Sequence, residues 1–145
     1  MNDRYLYRAK RTDNGEWVVG FYHWTNWRNT QTKEIVEVTH SILPIDCQDS
    51  YHVDPSTICQ CTGKNDVDGK LIFEHDIVAF LDTYSTENGW SEQNCIGEVC
   101  WDDETLSFQV TERLSAESYE VLEECKVIGN IFDNPELLKE GENHE

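Results

Sequence analysis

DGKLIFEHDIVAF, residues 68–80, sets two apolar runs on either side of Glu74, His75 and Asp76. Three explanations compete for that acidic knot: a catalytic acid pair, a metal site, or a tight corner between strands. LIF and DIVAF read as strands. An aspartate placed where two strands meet accepts hydrogen bonds from nearby backbone N–H groups and fixes the turn. Catalysis fits less well, because in an extended chain Glu74 and Asp76 share a face while His75 points to the other. The stretch is therefore read as a strand corner, and the surrounding pattern as a mainly β protein.

Just upstream, KNDVDGKLIFEH raises the question of calcium. With Gly69 at the sixth position of an EF-hand loop, Lys64 takes the first ligand position and His75 the last, so both ends of the ligand set fail. Asp66, Asp68 and Gly69 instead read as a turn in which Asx side chains bond their own backbone. TICQC reads as a short strand, followed by TGKNDVDGK as a loop containing Gly63 and Gly69. STENGWSEQN reads as a polar loop with its own Asn-Gly pair. CIGEVCW and LSFQVTE pair as strands across the turn DDET. Residues 114–124 show only a weak helical spacing of Tyr119, Leu122 and Cys125. KVIGNIF is a strand interrupted by Gly129, which predicts a bulge or a close backbone approach. The clear helix is the last element, about 134–140, with Asn134 as N-cap, Pro135 at its first position and Glu136 facing the positive end of the helix dipole.

Toward the N-terminus the strand pattern continues. YLYRAKR alternates Tyr5, Tyr7 and Ala9 against Leu6, Arg8 and Lys10, the period of a half-buried strand. TDNGE supplies an Asn-Gly turn, and WVVGFYHW follows as a second strand, so a hairpin is expected over residues 4–24. TNWRNTQTK, residues 25–33, reads as a loop, and EIVEVTHSI returns to strand alternation. The segment from Asp46 to Ser56 reads as irregular.

The totals narrow the function classes. A chain of 145 residues with 38% hydrophobic and 11% aromatic content can bury a core without disulfides. The opening MNDRYLYRAKR has no apolar stretch behind its basic residues and no segment is long enough to span a membrane, so the host-cell cytoplasm is expected. The six cysteines include a C-x-C (Cys59, Cys61) and a C-x4-C (Cys95, Cys100) but no C-x2-C knuckle. They read as reduced core thiols, with no metal and no cofactor expected. Net charge is −18. Residues 1–50 hold six Lys/Arg against seven Asp/Glu, whereas residues 51–145 hold five against twenty-two. Direct DNA or RNA binding is not expected from such a surface, since it lacks the basic face that releases counterions from phosphate.

VDPSTICQCTGKNDVDGKLIFEHDIVAF and VIGNIFDNPELL, with RYLYRAKRTDNGEWVVG as a looser opening match, resemble the YopX family of phage and prophage proteins. The family pattern runs through a Thr-Gly pair, an Asp-x-x-Gly turn, an apolar strand, an acidic-Gly-Asp-Ile corner and a closing Ile-Gly-Asn element. Here these fall on Thr62 and Gly63, Asp66 and Gly69, Ile72, Glu74, Asp76 and Ile77, then Ile128, Gly129 and Asn130. At one position the chain departs: the corner glycine of the pattern is His75, a residue that does not favour positive φ. The resemblance implies a small SH3-like β-barrel with an N-terminal hairpin extension and a short C-terminal helix, and it carries over no catalytic residue. In domain terms it implies one unit over 1–145, with a hairpin region 1–50, a barrel core of about 51–133 and the terminal helix.

A non-catalytic interaction protein acting by protein–protein contact is the leading expectation. Trp17 and Trp101 lie in or beside apolar strands and are expected in the core. Trp24, Trp27 and Trp90 lie at strand ends or in polar segments, where local packing and an exposed contact site are both open. Two other classes are kept: an acidic mimic of nucleic acid that occupies a basic host protein, and a metal-dependent or small-molecule enzyme. The enzyme class lacks any convergent constellation of nucleophile, base and orienting group. Residues 1–28 carry Arg4, Arg8, Lys10, Arg11 and Arg28 against Asp3, Asp13 and Glu16, which suits them to an acidic face of another copy, so a homo-oligomer is a further expectation.

Overall fold

The computed structural model describes residues 3–138. Its strands form antiparallel sheets, and the chain divides into two compact units, Met1–Cys61 and Thr62–Glu145.

In the first unit β1 (Tyr7–Lys10), β2 (Trp17–Arg28), β3 (Ile35–Pro44) and β4 (Tyr51–His52) are joined by the first residues of β5 (Cys59–Asn65), in the order β4-β3-β2-β1-β5. The expected hairpin is present, with Tyr7 opposite Gly20 and Lys10 opposite Trp17. Its turn is wider than a two-residue Asn-Gly loop. The Arg11 N–H donates to the Glu16 carbonyl, the Gly15 N–H donates to the Arg11 carbonyl, and φ is positive at Gly15. Ala9, Val18, Ile42 and Val53 form the core, with Tyr7, Tyr22, Tyr51 and Ile58 packed against them. Gly20 permits the close β2–β3 approach: a Cβ there would lie 2.1 Å from the Leu43 carbonyl oxygen.

The segment expected as a loop at 25–33 is strand over its first four residues. β2 continues to Arg28, and Thr25 pairs with Thr39 and Trp27 with Glu37 before a register shift at Arg28. Threonine and tryptophan fit a pleated strand well, and cross-strand pairing outweighs their polar neighbours. Asn29 closes the remaining turn by accepting the N–H groups of Gln31 and Thr32 on its side chain.

In the second unit the rest of β5 turns into β6 (Leu71–Phe73). A four-stranded sheet follows, built from β7 (Asp76–Thr86), β8 (Gly89–Asp102), β9 (Ser107–Val110) and β10 (Lys126–Asn130) in the order β10-β7-β8-β9. Ile72, Val78, Phe80, Val99, Val110, Val121, Leu122, Cys125 and Val127 fill the core. β10 and β9 are edges of an open sheet, so the SH3-like closed barrel is not found among the described residues.

Three local expectations change here. Residues 62–65 belong to β5, which leaves a turn of only five residues before β6. The expected polar loop at 85–94 is mostly strand, because β7 and β8 stay paired out to Thr86 opposite Gly89. The ambiguous segment holds a real helix, α1 (Ser118–Glu124), opened by a capping box between Glu117 and Glu120 and burying Ser118, Val121 and Leu122. At the C-terminus residues 136–138 are helical, and residues 139–140 of the expected helix lie outside the described residues. Asn134 does not act there as a side-chain N-cap. Its Oδ1 turns back to accept the Asn130 N–H at 3.3 Å, because the chain reverses tightly after β10.

Trp101 also departs from expectation. It sits beyond the end of the core, 40% exposed, edge-on to Phe108, and its Nε1–H donates to Asp103 at 2.7 Å. Trp17 is partly buried under Arg8 and Lys10. All six cysteines are free thiols, and Cys59 and Cys61 are fully buried. No helix among the described residues is long and apolar enough to cross a membrane.

Candidate functional site

The corner is where the sequence concentrates its unusual chemistry. Asp76 is fully buried, and its Oδ2 accepts the Phe73 N–H at 2.7 Å, tying the end of β6 to the start of β7. Of the two intervening residues, His75 takes φ 70°, a left-handed conformation that glycine adopts freely. A non-glycine residue there costs about 1–2 kcal/mol. Several contacts offset this. The His75 N–H donates to the Val99 carbonyl at 2.7 Å, and its carbonyl accepts the Ile131 N–H at 3.1 Å. Nδ1 lies 2.8 Å from Glu98 Oε2, and the ring stands edge-on to Phe132. These contacts hold an imidazole on a backbone of glycine-like conformation.

Around this corner the other signature residues act as backbone clamps. Asp66 accepts the N–H groups of Asp68 and Lys70 on one oxygen and that of Val127, across the unit, on the other. Burial raises its carboxyl, and these donors outweigh burial and leave it below the ordinary Asp value. Gly69 turns the chain at φ 83° with its N–H on the Asp66 carbonyl, while Gly63 lies within β5. The expected irregularity at Gly129 is present as a register shift between Val127 and Gly129. It is also a close approach, since a Cβ there would fall 2.5 Å from Asn134 Oδ1. Asn130 Oδ1 accepts the N–H groups of Phe132 and Asp133. Glu74 flanks the corner on the surface side, 3.8 Å from His75 Nε2.

Asp82 escaped the sequence reading. It continues the inward series Val78, Phe80, Asp82 along β7, and an acid at a core-facing strand position was the available signal. Its carboxylate accepts N–H groups from Thr83, Leu114, Ser115 and Ala116, which holds the segment before α1 against β7. Burial raises this carboxyl, and the four donors outweigh burial and lower it. A cleft of about 280 Å³ lies over it, lined by Phe80, Thr83, Ser115, Glu120, Val121 and Glu124. With its lone pairs already on backbone donors, Asp82 is not placed to take a proton from a substrate. Among the described residues no three or more His, Cys, Asp or Glu side chains gather in a metal-holding arrangement.

The three candidate contact residues lie on two β-arms. In the first unit β2 and β3 run past the core, and Trp24 and Trp27 are 60% and 54% exposed. Trp24 stacks on Tyr22, which stacks in turn on His40, while Trp27 Nε1–H reaches Thr39 at 3.2 Å. In the second unit Trp90 is 70% exposed, opposite Ser85 near the tip of the β7–β8 arm.

Comparison with known proteins follows the same lines. No curated protein matches the chain. The crystal structure of protein EF1440 from Enterococcus faecalis is similar over 91% of this chain and 96% of that one, at 22% identity and a TM-score of 0.48. The family model described as YopX protein matches residues 6–139, nearly the whole chain, so this protein belongs to the YopX family.

Proposed function

We propose that this protein is a phage-derived, non-catalytic interaction module that works by protein–protein contact. The observation that carries this reading is the exposure of Trp24, Trp27 and Trp90 on arms that extend past their cores. Large aromatic side chains left in water are costly unless a partner covers them, and tryptophan is the residue most enriched among interface anchors. The clamping roles of Asp66, Asp76 and Asp82 support the same view, since the oxygens of Asp66 and Asp82 and Oδ2 of Asp76 hold backbone N–H groups.

A second reading has its own observation. The second unit holds twenty-one Asp/Glu against five Lys/Arg, and Glu112, Glu117, Glu120, Glu123 and Glu124 are exposed. Such a surface suits a basic protein that ordinarily holds nucleic acid. Affinity capture from host cytoplasm at low and high salt tests both. Capture that survives high salt and is lost in Trp24→Ala, Trp27→Ala or Trp90→Ala supports aromatic contact. Capture of a nucleic-acid-binding protein that disappears at high salt supports the mimic, and capture of nothing at either salt overturns both.

A further inference from the structure

β1 accompanies β2 only from Trp17 to Gly20, whereas β3 pairs with β2 as far as Arg28. From Phe21 onward the other side of β2 faces no strand among the described residues. Its eight residues, FYHWTNWR, make a long edge with no proline and no carboxylate, and its one irregularity lies at the far end, between Trp27 and Arg28. Edges of this kind are templates for pairing with another chain, and folds usually blunt them with charge, proline or a central bulge.

We infer that this edge, residues 21–28 of β2, pairs antiparallel with the same edge of a second copy of the chain. The choice of occupant follows from charge. The protein carries −18, so two copies repel except where carboxylates are missing. β2 beyond Gly20 meets that condition, while the outer edge of β3 carries Glu37 and is preceded by Glu34. In the four-stranded sheet β9 spans four residues, β10 spans five and is broken by its bulge, and the open sides of β7 beyond Ala79 and of β8 before Val99 carry Asp82 and Glu92. A basic foreign partner gains nothing from a strand without acids. A second β2 closes both edges about one two-fold axis and brings each copy's Phe21, Trp24 and Trp27 against the other's strand.

The inference rests on the protein-contact reading above and names a partner for one arm, yet the two fail separately because the dimer is read from the purified chain alone and the contact reading from capture of a foreign protein. Screening strengthens association of two like-charged copies, whereas capture through aromatic contact survives it. Sedimentation equilibrium at micromolar concentration is expected to give twice the chain mass, with the dimer favoured at high salt. Thr25→Glu, which sets a carboxylate on the β2 edge, is expected to give the single-chain mass at both salts. Val36→Glu, on the exposed β3 side, is expected to leave the dimer, with matching circular dichroism showing that both variants fold. In the unaltered protein, amide hydrogen exchange over residues 21–28 is expected to slow with rising concentration, a readout that stands even if Thr25→Glu unfolds. A single-chain mass at high salt, a dimer that survives in folded Thr25→Glu, or exchange over 21–28 indifferent to concentration each overturns the inference, and none of them touches capture through Trp90.

Discussion

Asp76 Oδ2 and the Phe73 N–H meet at 2.7 Å across the three-residue corner, so one fully buried carboxylate holds the end of β6 against the start of β7. Asp76→Ala leaves that N–H without its acceptor. Urea unfolding is expected to show a loss of ~1–2 kcal/mol, the cost of stranding a buried donor. Unchanged stability would mean that the corner is held by other contacts.

His75 separates side-chain chemistry from backbone strain. His75→Ala and His75→Gly both remove the imidazole and its Glu98 bond, and only alanine keeps a Cβ at φ 70°. The glycine variant is expected to be the more stable of the two by ~1 kcal/mol, as befits a left-handed position. Equal denaturation midpoints would place the backbone elsewhere.

Gly129 and Asn134 are coupled by space. Gly129→Ala drives a methyl into Asn134 Oδ1 and is expected to cost ~1–3 kcal/mol. In an Asn134→Ala background the obstruction is gone, so the same change is expected to cost less. A double-mutant cycle with no coupling term would contradict the contact.

Asp66 and Asp82 give the fold an acid limit. Both are lowered below the ordinary Asp value in the folded state, burial being outweighed by backbone donors. The stability they contribute is therefore full above the unfolded Asp value of about 4 and is lost as pH falls through the lower folded value. Asp66→Asn and Asp82→Asn are expected to be less stable at neutral pH and to show a flatter stability profile below about pH 4 than the unaltered protein. A profile of unchanged slope would argue against these carboxylates as the acid-sensitive groups.

The thiols are expected to separate by exposure. Cys47 is exposed, whereas Cys59, Cys61, Cys95 and Cys125 are buried and burial pushes the Cys125 thiol up to about 11. A thiol reagent at neutral pH is expected to modify Cys47 quickly and the buried four only after denaturant is added. Fast modification of several thiols in the folded protein would contradict this burial.

How much of this was legible in the residues divides along the range of the interactions. The corner at 74–76, the turn at Asp66–Gly69, the hairpin at residues 4–24 and the irregularity at Gly129 rest on local chemistry. Asx side chains bond their nearest N–H groups, and glycine alone tolerates a crowded backbone, so neighbouring residues were enough to place them. The arms were not legible. Polar runs at 25–33 and 85–94 resemble loops by composition, and residues 25–28, 85–86 and 89–94 are strand because each is paired across a hairpin with a partner that only the folded register supplies. Asp82 belongs to the same class, since its donors at Leu114, Ser115 and Ala116 lie more than thirty residues away. His75 marks the boundary between the two. Its own preference opposes a left-handed backbone, and contacts from Val99, Glu98, Ile131 and Phe132 hold it there. Sequence alone determined a mainly β chain, its acidic balance and its clamping turns. Tertiary structure decided which strands stay open and which tryptophans face water, because those depend on where pairing and burial stop.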